Sequence, residues 1–250
     1  MALFQETLPF VIPNKKDYSW EYEEENKLYK IKIPNGELLY IEHFFNKKHS
    51  DHILNYLLES ESVDWKVADW RGIDIDSVVW KNILWQQDSI KMFGKTIPLP
   101  RLSAWYGDSD KPYTYSGITL KPKTWNDGLL HIKQKIEQIT NGVIFNSVLI
   151  NWYRDGEDYI SWHTDAEPEL GRNPVIGSVN FGATREFRLR QKLTKSEEET
   201  EKPDVLKIPL KHGTLLIMQG ETQHFWQHAV PKESKINDLR INMTFRVIKN

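Results

Sequence analysis

From Phe145 to the C-terminus, short apolar runs alternate with polar positions and are broken by turn residues, a pattern of strands. The expected strands are Val148 to Tyr153, Val175 to Phe181, Glu186 to Gln191, Val205 to Leu210, Thr214 to Met218, Phe225 to Val230 and Arg240 to Val247. Asp155-Gly156, Gly182 and His212-Gly213 separate them. Many short strands in succession predict a sandwich, a jelly roll or a barrel. Upstream the period changes: Trp125, Leu129, Ile132, Ile136 and Ile139 recur at helical spacing, and Asn141-Gly142 ends the run. A shorter helix carries Ile53, Leu54, Leu57 and Leu58 on one side, with Ser50 as its expected N-cap. Between these helices lies a Trp-rich stretch (Trp65, Trp70, Trp80, Trp85, Trp105) without a clear period, and Ser196 to Lys202 reads as a mobile acidic loop. The expected class is therefore α+β with a mainly β core, residues 1–142 forming an N-terminal extension and residues 143–250 the core of one compact unit.

The last strand carries the strongest chemical signal. Alternation puts Arg240, Asn242, Thr244 and Arg246 on one face and Ile241, Met243, Phe245 and Val247 on the other. Two arginines on the inner face of a core strand are costly to bury unless an anion meets them. That face is expected to line a pocket for a carboxylate-bearing ligand.

Composition narrows the chemistry. With 250 residues, 39% of them hydrophobic and 12% aromatic, the chain can build a core of its own. No run approaches the roughly 18 to 20 apolar residues that span a bilayer, and Leu8-Pro9-Phe10-Val11-Ile12-Pro13 is too short and Pro-broken for a signal sequence, so a soluble intracellular protein is expected. The absence of cysteine leaves histidine and carboxylate as the available metal ligands. The net charge of −2 argues against binding nucleic acid by bulk charge, although Lys91 to Lys123 and Arg185 to Lys195 are locally basic.

His163-Thr164-Asp165 follows a strand, where an i, i+2 spacing lets both side chains point the same way. Alone, this is a weak signal. His228 in Trp226-Gln227-His228 completes two imidazoles and a carboxylate, the set that holds non-haem Fe(II) with open positions. His224 is the rival ligand; His212 and His131 are given no such role. A zinc hydrolase could use the same three groups. It would have no use for two inward arginines, whereas an iron enzyme with a dicarboxylate cosubstrate would.

In this order, Asn151-Trp152-Tyr153, Asp155-Gly156, His163-Thr164-Asp165, Phe181-Gly182-Ala183-Thr184-Arg185-Glu186-Phe187, His212-Gly213-Thr214-Leu215-Leu216 and Arg240-x-Asn242-x-Thr244-Phe245-Arg246 resemble the AlkB-type Fe(II)- and 2-oxoglutarate-dependent dioxygenases, which repair alkylated nucleic acid bases. The resemblance spans about Phe93 to Arg246 and implies a double-stranded β-helix (jelly roll) with N-terminal helices and a nucleotide-recognition lid. It implies iron on His163, Asp165 and His228, the distal carboxylate of 2-oxoglutarate on Arg240, and further cosubstrate contacts from Asn151, Tyr153, Asn242 and Thr244. Arg246 would stand beside the proximal carboxylate and Asp165. The implied reaction is oxidative dealkylation with O2, on bases of the 1-methyladenine and 3-methylcytosine type.

A flipped or single-stranded base is required. By resemblance, Tyr115 would stack it opposite His163, Tyr113 would touch its edge or phosphate, Glu167 would favour its positive charge, and Arg101 would contact a phosphate. Met92-Phe93-Gly94 resembles the finger of duplex-preferring relatives, whereas Pro231-Lys232-Glu233-Ser234-Lys235 resembles relatives that favour single strands; Ala166 departs from the acidic residue common there. The expected partner is alkylated DNA, single- or double-stranded, met by a monomer in the cytoplasm, or in the nucleus of a eukaryote. The alternatives are an RNA or nucleotide demethylase and a non-catalytic nucleic-acid-binding module. Residues 1 to about 88 carry no resemblance.

Overall fold

The structure, a computed structural model, describes residues 8–92, 94–109, 113–115, 118–120, 122–194 and 202–249. Among these, the larger sheet has eight strands in the spatial order β1 (Ser19–Glu23), β2 (Leu28–Ile33), β3 (Gly36–Ile41), β14 (Leu215–Gln219), β11 (Ile176–Gly182), β16 (Arg240–Arg246), β9 (Ser147–Tyr153) and β6 (Leu102–Gly107). A smaller sheet orders β10 (Ile160–His163), β15 (Trp226–Val230), β12 (Arg185–Gln191) and β13 (Val205–Leu210). The strand pairs are antiparallel, including β16 with both β9 and β11. Two hairpins, β4 (Ser89–Met92) with β5 (Lys95–Pro98) and β7 (Tyr113–Tyr115) with β8 (Ile118–Leu120), stand apart from the two sheets.

The larger sheet is buried on both faces, which is why β9 and β16 are buried at every position. One face packs against α1 (Lys47–Leu58) and α2 (Asp127–Glu137): Leu57, Ile132 and Ile136 join Val148, Ile150, Trp152, Ile241, Met243 and Phe245 in one core. The other face meets the smaller sheet through Leu38, Tyr40, Leu216, Leu189, Ile208 and Trp226. Double-sided burial and antiparallel pairing make the jelly-roll core that the resemblance implies, one of the three classes the strand pattern allows.

Of the Trp-rich stretch, Trp65, Trp70, Trp80 and Trp85 belong to the first core, whereas Trp105 packs with Leu149, Leu170 and Ile248. The rings of Trp70, Trp85 and Trp80 lie 4.6, 5.2 and 5.9 Å from that of Trp152, the residue of β9 that faces away from Asn151 and Tyr153. These aromatics back the strand that carries Asn151 and Tyr153 on its other face.

Several elements differ from the pattern-based expectation. The helix α1 starts at Lys47, and its cap is Asn46, whose side chain accepts from the His49 N–H; Ser50 is buried inside it, donating to the Phe45 carbonyl. The apolar stripe begins only at Ile53, so periodicity places the start one turn late. Asn126 caps α2, with Trp125 just before it. Phe225 ends a helical turn, Thr222–Phe225, and the strand begins at Trp226. Strands β1 to β3 were not expected; Leu28 to Ile33 does alternate, but only pairing of β3 with β14 joins it to the core sheet. Phe93, Lys111, Ser116, Gly117 and the acidic loop through Glu201 lie outside the described residues.

Candidate metal and cosubstrate site

The site is assembled where β16, β9 and β11 face the smaller sheet. Register places Arg240 opposite Tyr153 and Gly182, and Asn242 opposite Asn151 and Asn180. Directly paired residues in an antiparallel ladder project to the same side. A polar row results: Asn242 Nδ2 donates to Ser178 Oγ at 2.8 Å and to Asn180 Oδ1 at 3.1 Å, while Thr244 Oγ1 donates to Asn242 Oδ1 at 3.0 Å. Arg240 Nη2 also donates to Asn180 Oδ1. Ser178 and Asn180 had not been singled out, although Ile176-Gly177-Ser178-Val179-Asn180-Phe181 alternates as β16 does.

Across from this row, the smaller sheet brings in the histidines. His163, the last residue of β10, pairs directly with His228 of β15, and their rings are 4.2 Å apart. Asp165 follows two residues later. The ligand atoms of His163, Asp165 and His228 all lie within 4.8 Å of one another, and among the described residues they form the only such cluster. His224 lies exposed on the helical turn, hydrogen-bonded to Asn173, and is not part of it. His212 binds Asp51 and the Gly182 N–H, and His131 is exposed on α2.

Electrostatics prepares the three groups for a cation. Burial would raise the Asp165 carboxyl, but Arg246, His228 and His163 hold it down to about 2, and Arg246 Nη2 donates to Asp165 Oδ2 at 2.8 Å. Asp165 Oδ1 is buried and has no hydrogen-bond donor. Burial, reinforced by the neighbouring His163, pushes the His228 imidazole down to about 3, and burial lowers His163 as well. Both rings are therefore neutral near pH 7. The Ser161 carbonyl lies 2.8 Å from His163 Nδ1, so that nitrogen carries the proton and Nε2 presents its lone pair.

At the other end of the row, Arg240 is 1% exposed and burial pushes its guanidinium down to about 10. Its Cζ sits 5.0 Å from the Tyr153 ring centroid, and its Nε and Nη1 have no acceptor. A buried cation with two unsatisfied donors fits a carboxylate.

All nine residues expected to hold metal and cosubstrate line one cavity: Asn151, Tyr153, His163, Asp165, His228, Arg240, Asn242, Thr244 and Arg246. A larger cavity bordered by Trp70, Arg71, Asp155 and His212 shares none of these residues and contains no such metal-ligating cluster. The expected substrate contacts are placed less uniformly. Arg101 is buried, and its Nε donates to Asn151 Oδ1 at 2.9 Å. Glu167 is half-buried just before the helical turn Pro168–Leu170. Tyr113 and Tyr115 belong to β7, but their side chains, like Phe93, lie outside the described residues. Of the basic segments, Arg185 is buried and bonds the carbonyls of Asp155, Asp158 and Pro231, which is a structural use of its charge.

A family model described as "2OG-Fe(II) oxygenase superfamily" matches residues 37–246, and the chain belongs to that superfamily. Within it the chain is similar to "Alpha-ketoglutarate-dependent dioxygenase alkB homolog 3" of Mus musculus, 47% identical over 188 residues, covering 74% of this chain and 63% of that protein. The Homo sapiens protein of the same name is 46% identical, with 74% and 63% covered. "DNA oxidative demethylase ALKBH2" of Homo sapiens is 42% identical over 159 residues, covering 64% of this chain and 60% of that protein. The chain spans about three fifths of the length of these curated relatives. A solved structure titled "The structure of OsALKBH1" matches with a TM-score of 0.50 at 15% identity, covering 92% of this chain and all of that one, which bears on the fold alone. No helix among the described residues is long and apolar enough to cross a membrane.

Proposed function

We propose that this chain carries out oxidative dealkylation of N-alkylated nucleic acid bases, using Fe(II), 2-oxoglutarate and O2. One observation carries the reading: the His163, Asp165 and His228 cluster stands at one end of a polar row whose other end is a buried arginine with two unused donors. Two neutral imidazoles and one carboxylate would hold iron on one side, with neighbouring positions open. Arg240 would take the distal carboxylate of 2-oxoglutarate on Nε and Nη1, and Asn151, Tyr153, Asn242 and Thr244 would hydrogen-bond the cosubstrate along the row. Arg246 would steady Asp165 and offset the proximal carboxylate. Bound iron with 2-oxoglutarate and O2 supplies a two-electron oxidation: one oxygen atom enters succinate as carbon dioxide leaves, and the other enters the alkyl C–H bond, whose hydroxylated product sheds an aldehyde.

The protein's share is to place the alkyl carbon beside the open positions and to exclude water. Tyr115 would stack the base against the His163 side, with Tyr113 at its edge or phosphate, and Phe93 would fill the gap left in a duplex. Glu167, two residues beyond Asp165, would favour the cationic 1-methyladenine and 3-methylcytosine. Arg101, expected from the resemblance to contact a phosphate, is buried on Asn151 Oδ1 beside His163, so it would steady that end of the polar row rather than reach the strand. Similarity to a relative named DNA oxidative demethylase ALKBH2 supports DNA as the substrate. As such an enzyme the chain would act as a monomer in the cytoplasm, or in the nucleus of a eukaryote.

The test is loss of the methyl group from a 1-methyladenine oligonucleotide, followed by mass spectrometry with iron(II) and ascorbate, with and without 2-oxoglutarate. Loss that depends on 2-oxoglutarate is the expected result, and comparing single-stranded DNA, duplex DNA and RNA of one sequence sets the preferred strand. A methyl retained on all three would overturn the substrate, and absence of succinate as well would overturn the chemistry.

A further inference from the structure

We infer that Gln223 is a positioning residue for the Asp165 side of the metal site, and that the N-terminal hairpin of β2 and β3 holds it in place; the inference rests on the iron reading above. Asp165 lies two residues beyond the end of β10, where no sheet ladder orients its backbone. Its N–H instead donates to Gln223 Oε1 at 2.9 Å, a partner 58 positions away. Both residues are 1% exposed. A backbone N–H can only donate, so the Gln223 amide must present its oxygen there, leaving Nε2 on the weak acceptor Met218 Sδ at 3.6 Å. The turn Thr222–Phe225 that carries Gln223 runs directly into β15 and His228. This four-residue turn thus holds Asp165 directly and leads into the strand that carries His228.

That turn is braced from the N-terminal side. Trp226 Nε1 donates to the Pro34 carbonyl at 2.8 Å, and Gln219 Nε2 bonds Glu37. At Gly36, an added Cβ would lie 2.5 Å from Thr222 Oγ1, so the hairpin and the turn approach too closely for any larger residue without displacement. The tip of the hairpin precedes residue 37, where the family match begins. Strand β2 and its turn therefore extend the support of the metal site beyond residues 37–246, the span of the family match.

The test measures Mn(II) binding by the full chain without cosubstrate, alongside the melting temperature of the metal-free protein. Gln223→Met keeps the volume but removes the acceptor, and is expected to weaken Mn(II) binding roughly tenfold or more. Gln223→Glu keeps an acceptor oxygen and should bind close to wild type, and Gly36→Val should shift in the direction of the Met variant. Wild-type affinity in Gln223→Met would overturn the inference. So would equal loss in the Met and Glu variants that follows a fall in melting temperature, since that marks a merely structural role. A wild-type chain that binds no Mn(II) would overturn the iron reading and this inference together.

Discussion

Single side chains decide the chemistry by where they are left unsatisfied. Arg240 is the clearest case, because burial without a protein acceptor on two of its nitrogens is a cost that a bound anion would offset. Hydrogen bonds to a charged group contribute about 1.5–3 kcal/mol each, so Arg240→Ala should raise the 2-oxoglutarate KM by on the order of 10- to 100-fold. Succinate formation against 2-oxoglutarate concentration checks this, and an unchanged KM would remove the assigned role. The arginines and the His-x-Asp pair were legible because charge inside an apolar alternation stands out. Gln223 was not, since a glutamine in a turn carries no local mark of burial; only its contact with Asp165 reveals it.

At the level of elements, β9 shows how one strand serves both core and site. Its alternation sends Asn151 and Tyr153 to the polar row of the candidate site and Trp152 into the aromatic cluster of Trp70, Trp80 and Trp85. Trp152 is fully buried, so Trp152→Ala should cost about 3–5 kcal/mol of stability, read from denaturant unfolding. A loss below about 1 kcal/mol would mean that the cluster does not hold the strand. Strand positions from Val148 onward were readable from the period of two. Helix starts were not, because the first turn of α1 is polar and exposed and its cap Asn46 precedes the apolar stripe by seven positions.

For the whole molecule, the buried triad links stability to pH. The His228 value in the folded chain, about 3, lies below its ordinary 6.5, so the unfolded chain takes up the proton first. This contribution is intact above about pH 6.5 and is lost progressively as the pH falls towards 3. Asp165, held at about 2 against its ordinary 3.8, adds a loss of the same sign at lower pH. Between pH 7 and 5 the metal-free protein should lose about 2 kcal/mol more than His228→Asn, measured by urea unfolding at each pH. Equal losses in the two proteins would overturn the assignment.

The sequence by itself determined the class of core, the polar face of the last strand and the residue types of the metal set, because alternation and the cost of burying charge are local properties of the chain. The sequence pointed to His228 with His224 as its rival, and the β10–β15 pairing is what brings His228 to His163 and Asp165 and leaves His224 outside. Tertiary structure alone decided that Arg101 sits inside the sheet on Asn151 and that the N-terminal hairpin reaches the metal-side turn. These contacts join residues tens to hundreds of positions apart, and no local pattern of hydrophobic and polar residues specifies which distant partner a strand or turn will meet.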